Sequence, residues 1–390
     1  MNKTLFLIAF SVLLLVPIGA QNAFANHTTT SIANGDWNNP ATWDNGIPHS
    51  DSIVTIASGT IVTITNPTSF SGTLTIDGRL IISGTTLTNS GSITGNGGTM
   101  FRDGEIGLEG GATLNNSGDI TMNGGTGTDS GRIRVEFQGS VINSGTMEGI
   151  GNSATGSGEF RFFSATSLDN SGQITMTGAD GPGSATIFFS DQGNFVNSGT
   201  ITMNGGTNSF SGELELGSSG TGVNSGTITI NGGGGPLIEG SGELRLTSSA
   251  MFSNECTGVI IINGGSVGSF GNSGRLLING VSSLDNSGVI IFNGGSDAFS
   301  GILDGSIINH NTVTFNPGTG VQSGTQVSGT ITEDPVACPE TVIGGKIIPI
   351  EQTSLLLAGA QSFSWMIPVT LSVLGIGLFV VSRNRNNDLQ

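Results

Sequence analysis

The sequence has no tyrosine, only three tryptophans, three histidines and two cysteines, and its 11 lysines and arginines face 28 acidic residues across 390 positions. Each scarcity excludes something. Two cysteines cannot build a disulfide-dense scaffold or a cysteine-based zinc site. His27, His49 and His310 are scattered without ligand spacing, so neither a metal centre nor a serine–histidine–aspartate set is expected, and no cofactor. A net charge of −17 repels phosphates and argues against nucleic acid as a partner. Charged residues make up only 10% of the chain, too few for ordinary disorder.

Long uncharged runs occur near the two ends. Lys3 followed by Leu5 to Val16, with Ala23-Phe24-Ala25 behind them, has the pattern of a signal peptide over residues 1–25. From Ser362 to Val381 no residue is charged, which predicts one transmembrane helix within residues 351–382. Arg383 and Arg385 follow it and Glu351 precedes it, so residues 383–390 are expected in the cytoplasm and the body of the chain outside the cell membrane.

What the chain does have is glycine, 66 residues of it, and a repeat. Asn-Ser-Gly begins at Asn89, Asn116, Asn143, Asn170, Asn197 and Asn224, always at an interval of 27. Four residues after each asparagine stands an apolar residue: Ile93, Ile120, Met147, Ile174, Ile201 and Ile228. Positions 17 and 19 after it are apolar too, as in Ile133 and Val135 or Phe160 and Phe162. Apolar residues two apart mark a strand with one buried face. Apolar columns that recur from repeat to repeat mark stacked coils sharing one core. The spacing therefore predicts an all-β parallel β-helix (solenoid) of about ten coils over residues 53–315. A cap segment over 26–52 precedes it, and a stalk rich in glycine, serine, threonine and proline over 316–350 follows.

Asn-Ser-Gly reads as a corner at which asparagine and glycine accept left-handed backbone and the stacked amides form a hydrogen-bonded ladder. Each coil is expected to hold two clear strands and a short third one around Leu114, Val141, Leu168 and Phe195. Position 16 reads Glu105, Arg132, Glu159, Thr186 and Glu213, an outward column whose opposite charges meet at a few tenths to about 1 kcal/mol per pair. Beyond Gly234 the interval breaks, with an insertion before Asn254 and later markers at Asn272 and Asn286.

The stacked corners resemble the parallel β-helices of adhesins and exported surface proteins. The opening Gly35-Asp36-Trp37 through Trp43 to Ile47-Pro48 is similar to the start of such proteins and of G8-type domains. Trp37 and Trp43 there admit two roles, a cap on the open end of the core or a stacking platform for a sugar ligand. The tail Gly344-Gly345-Lys346-Ile347-Ile348-Pro349-Ile350 with Leu355-Leu356-Leu357 is similar to C-terminal anchors of envelope proteins from ammonia-oxidising archaea. These resemblances imply a non-catalytic, adhesin-like structural protein of the cell surface, anchored in the membrane, with surface polysaccharide or other envelope proteins as partners. The alternative they leave open is a polysaccharide-binding or polysaccharide-cleaving β-helix.

Other motifs carry less. Gly124-Gly125-Thr126-Gly127-Thr128-Asp129 matches a calcium nonapeptide once, whereas calcium sites need tandem copies. Thr121, Thr175, Thr202 and Thr229 share an outward column, the kind of array that binds ice on other solenoids, but Glu148 interrupts it and β-propensity explains it. Asn26 and Asn115 stand in glycosylation sequons, and an exported chain has the option of pairing Cys256 with Cys338.

Overall fold

The computed structural model describes residues 27–234, 241–265, 273–295, 300–316 and 330–333. The expected signal peptide, Asn26, Asn272, Cys338 and the apolar segment near the C-terminus lie outside them. Among the described residues no helix is long and apolar enough to cross a membrane.

These residues form a parallel β-solenoid of three long sheets. Sheet I has 12 strands, from Thr28–Thr30 to Thr312–Asn316; sheet II has 11, from Gly35–Asp36 to Ser300–Asp304; sheet III has 11, from Thr68–Phe70 to Ile331–Glu333. One coil runs from Thr113–Asn116 in sheet III to Asp119–Asn123 in sheet I and Ile133–Val135 in sheet II, then returns to sheet III at Ser140–Asn143. At about 4.8 Å per rung, twelve strands make a rod roughly 50 Å long.

The apolar columns read from the repeat are the core. Ile93, Ile120, Met147, Ile174, Ile201 and Ile228 are buried on sheet I, and Ile106, Ile133, Phe160, Ile187 and Leu214 on sheet II. Phe162 and Phe189 of successive coils stack with ring centroids 4.5 Å apart. The third strand is no fragment: it spans four residues, as in Ser140–Asn143, whereas the sheet II strands of the middle coils span three. Strand pairing starts at Thr28 and continues to Ile331–Glu333, so the solenoid takes in the ends of both flanking segments.

The Asn-Ser-Gly corners work differently from the left-handed turn expected. Neither the asparagine nor the glycine has a positive φ. Glycine is required instead by close stacking: a Cβ on Gly118, Gly145 or Gly172 would overlap the carbonyl oxygen of the glycine one coil earlier. Left-handed residues sit in the other two connections: at the turn from sheet II to sheet III in the pairs Gly110-Gly111, Phe137-Gln138, Ser164-Ala165, Asp191-Gln192 and Ser218-Ser219, and in the loops entering sheet II at residues such as Asp129, Gly131, Gly158 and Phe210.

Past Gly234 the coils lengthen in their loops and keep their register. Asn224, Asn254, Asn286 and Asn309 remain aligned in sheet III although they are 30, 32 and 23 residues apart. Residues are added between sheets I and II and, two of them, in the Asn254 to Gly258 corner, while the last coil is shortened between sheets II and III, and the ladder is kept throughout. Cys256 is disulfide-bonded; the only other cysteine of the chain is Cys338.

Candidate functional site

Trp37 and Trp43 pack edge to face at the N-terminal end of the core, each 3% exposed. Trp43 Nε1 donates to the Trp37 carbonyl at 2.8 Å. Both rings are thus part of the N-terminal end of the core.

The corner asparagines are fully buried and form one continuous amide ladder. Nδ2 of Asn89 donates to Oδ1 of Asn116 at 2.7 Å, and the same bond recurs at Asn116, Asn143, Asn170 and Asn197, reaching Asn224 at 2.8 Å. Each amide also donates to the glycine carbonyl of its own corner, as Asn116 does to Gly118 at 3.1 Å. These side chains are consumed by structure. A second, interrupted ladder on sheet I, Asn204 through Asn231, Asn263 and Asn293 to Asn316, runs its donors the opposite way. A third motif lies 14 residues after the corner asparagine: buried Ser130, Ser157, Ser184 and Ser211 accept from the backbone N–H of Gly125, Asn152, Ala179 and Gly206. Its fixed offset is visible in the repeat, yet serine blends into a chain this rich in small polar residues.

The outward face of sheet I is polar and nearly uncharged. Its central column reads Thr30, Thr55, Thr75, Thr94, Thr121, Glu148, Thr175, Thr202, Thr229, Ile261, Ile291 and Thr314, nine threonines in twelve rungs. None of these nine hydroxyls is spent on a hydrogen bond among the described residues.

The column at position 16 on sheet II is buried instead of solvent-facing. It reads Arg79, Glu105, Arg132, Glu159, Thr186, Glu213, Glu243 and Arg275. The loops entering sheet II fold over it: Asp129 on one such loop holds Arg132 at 2.9 Å, and Arg102 on another reaches Glu105 at 3.6 Å. Arg132, 2% exposed, bonds Glu105 at 2.8 Å but stands 3.9 Å from Glu159. Asp129, the acid of the nonapeptide match, is thus engaged by an arginine, and no group of three metal-ligating side chains forms among the described residues.

Charge alternation fails at Thr186. On either side of it Glu159 and Glu213 are 4% and 3% exposed, about 10 Å apart as two rungs along the column. Thr186 Oγ1 donates to Glu159 at 3.2 Å. Burial pushes the Glu159 carboxyl up to about 7 against the pull of Arg161 and Arg132. Burial and the neighbouring Glu243 and Glu215 hold Glu213 well above the ordinary carboxylate range as well. Beside this break lies a cleft of about 240 Å³, walled by Phe188 and Phe210 and by Arg161 and Arg245. Arg161 lies over the Phe188 ring at 5.1 Å and Arg245 over the Phe210 ring at 5.2 Å.

His27 and His49, far apart in sequence, stack at 5.0 Å beside the N-terminal cap, and His27 Nδ1 lies 3.2 Å from the Ser52 hydroxyl. Asn115 lies half-buried on a strand of sheet III. The chain matches no protein-family profile, no curated protein and no solved structure.

Proposed function

We propose that this chain is an exported surface protein, held in a cell membrane by its C-terminal apolar segment, whose solenoid stands outside the cell as a non-catalytic adhesive rod. The observation that carries the reading is the sheet I face, where a threonine hydroxyl free of internal bonds recurs on nine of twelve rungs. Such a face suits many weak contacts with an extended partner, and contacts at a fixed spacing gain avidity together. Envelope polysaccharide, whose hydroxyls repeat along the chain, is the partner this chemistry fits. The anchor and the signal rest on the sequence pattern of the two ends.

The test has two parts. Protease treatment of intact cells should remove the solenoid while leaving cytoplasmic proteins untouched, and the chain should fractionate with membranes. The full chain should pellet with at least one insoluble polysaccharide among cellulose, chitin and mannan, and the double change Thr175→Lys with Thr202→Lys should abolish pelleting. Intact solenoid after protease treatment, or no pelleting with any of the three, defeats the reading.

A second reading, cleavage of a polysaccharide, draws on Glu159 and Glu213. Two carboxyls facing one cleft supply the pair that glycoside hydrolysis uses, one protonated as acid and one ionised as base or nucleophile. Release of new reducing ends that disappears in Glu213→Gln would favour it over adhesion.

A further inference from the structure

Seven buried side-chain nitrogen and oxygen atoms among the described residues lack a hydrogen-bond partner, and four of them belong to the single cleft beside Thr186. They are Oε2 of Glu159, Oε1 of Glu213 and the Nε atoms of Arg161 and Arg245. They stand in loose ion pairs longer than good hydrogen bonds: Arg161 Nε lies 3.5 Å from Glu159 Oε1, Arg245 lies 3.5 Å from Glu213 Oε1 and 4.0 Å from Glu215, and Arg132 lies 3.9 Å from Glu159 Oε2. Buried polar atoms are normally paired, so a concentration of unpaired ones in one cavity points to a missing partner.

The set constrains what that partner is. Two of the atoms are N–H donors and two are carboxyl oxygens. A bare cation would satisfy only the oxygens, and an anion only the guanidinium groups. Hydroxyls both donate and accept, so a polyhydroxylated molecule satisfies all four. The walls add a second requirement, because the rings of Phe188 and Phe210 line the same cavity. They call for a ligand with apolar C–H faces as well as polar edges. A volume of about 240 Å³ is below the size of typical drug-sized ligand pockets and suits one six-membered ring. With Glu159 and Glu213 held toward the protonated form and Glu215 facing the two arginines, the lining carries little net charge and suits a neutral sugar.

We propose that this cleft binds one neutral hexose unit of a polysaccharide, its hydroxyls taken by Glu159, Glu213, Arg161 and Arg245 and its C–H face laid against Phe188 and Phe210. The inference rests on the polysaccharide-contact part of the reading above and adds a defined subsite to it. The alternating Glu/Arg column elsewhere on sheet II closes on itself through pairs such as Arg79 with Glu105 at 2.7 Å and Arg275 with Glu243 at 3.0 Å. Only where Thr186 replaces a charge is the column left open to a ligand.

Calorimetric titration of the full chain in detergent micelles tests it. The probes are cellohexaose, mannohexaose, maltohexaose and chitohexaose, with the matching monosaccharides. At least one hexaose should bind, and bind more tightly than its monosaccharide. Phe188→Ala and Arg161→Gln, register neighbours in the sheet II column two residues past the buried one, should each weaken that binding about tenfold or more, as loss of a central contact does. Arg134→Gln, on the same column but outside the cleft, should leave it unchanged. Thermal melts of all three variants report whether the fold is kept, and Phe188→Thr is the substitute if Phe188→Ala melts early. No binding to any probe overturns the subsite. Binding that the cleft changes leave intact overturns it too, while preserving polysaccharide contact elsewhere on the rod. Equal affinity for the monosaccharide overturns the polymer part.

Discussion

Nδ2 of Asn309 donates to a carboxylate oxygen of Glu333 at 3.0 Å, and with that bond the amide ladder that starts at Asn89 ends on an acceptor only. Every asparagine between them gives a proton to the next coil and receives one from the last. Removing a middle member therefore strands two buried groups. Asn170→Ala leaves the Asn197 side-chain carbonyl without its ladder donor and one N–H of Asn143 without its ladder acceptor, while Asn143 keeps its bond to the Gly145 carbonyl, and should cost about 1–3 kcal/mol in denaturant unfolding of the full chain. Glu333→Gln keeps an acceptor at the end and should cost less than about 1 kcal/mol. An Asn170→Ala loss as small as that of Glu333→Gln would show the ladder to be ornamental.

Glycine at the corner and glycine at the turn answer to different physics, and substitution separates them. Gly145→Ala places a methyl on the Gly118 carbonyl and forces two coils apart, so melting should fall sharply. Ala165 is exposed with a φ of 58°, and Phe137 is exposed with a φ of 48°. Left-handed backbone costs a non-glycine residue about 1–2 kcal/mol, so Ala165→Gly and Phe137→Gly should each raise stability by up to about 1 kcal/mol. Differential scanning calorimetry would decide; destabilisation by both turn changes would sink the argument.

Glu159 gives a stability change with pH. Its carboxyl titrates near the ordinary carboxylate range when unfolded and at about 7 when folded. Between those values the folded chain holds a proton that the unfolded chain has released. Stability from this group is thus fully present below about pH 4.5 and lost as pH rises through about 7, by up to about 3 kcal/mol. Glu213, raised in the same direction, steepens the slope. Urea unfolding at pH 5 and pH 8 should show the fall, and Glu159→Gln should flatten it. An unchanged slope in Glu159→Gln would assign the titration elsewhere.

Much of the fold is legible in the sequence because stacking imposes one period on every column. The interval of 27, the apolar positions and the asparagine corners give the parallel sheets and their register. What the repeat cannot convey is how its loops fold. Position 16 looks solvent-facing because it alternates with the core positions, yet loops such as the one carrying Asp129 close over it and turn surface charges into buried ones. The same loops absorb most of the later insertions, which is why the ladder continues through Asn286 although the interval has changed. The cleft is written in sequence only as one threonine in a column of charges. Phe210, which walls it, belongs to a loop outside any repeat column.

The buried column also predicts an asymmetry between breaking an ion pair and removing it. Arg79 and Arg132 hold Glu105 from either side, at 2.7 Å on Oε1 and 2.8 Å on Oε2, and Asp129 leans on Arg132 as well. Arg132→Leu leaves Glu105 with Arg79 alone and takes the closest partner from Glu105 Oε2 and from Asp129, and should cost about 1–3 kcal/mol. Replacing the buried set by Arg132→Leu with Glu105→Met and Arg79→Met removes the carboxylate together with both arginines that hold it at hydrogen-bond distance. The triple variant should recover most of that loss, because the desolvation of each ion disappears along with the attraction. Chemical unfolding of the single and triple variants at one pH measures both. If the triple variant is no more stable than Arg132→Leu alone, then specific hydrogen-bond geometry, and not charge compensation, holds these coils together.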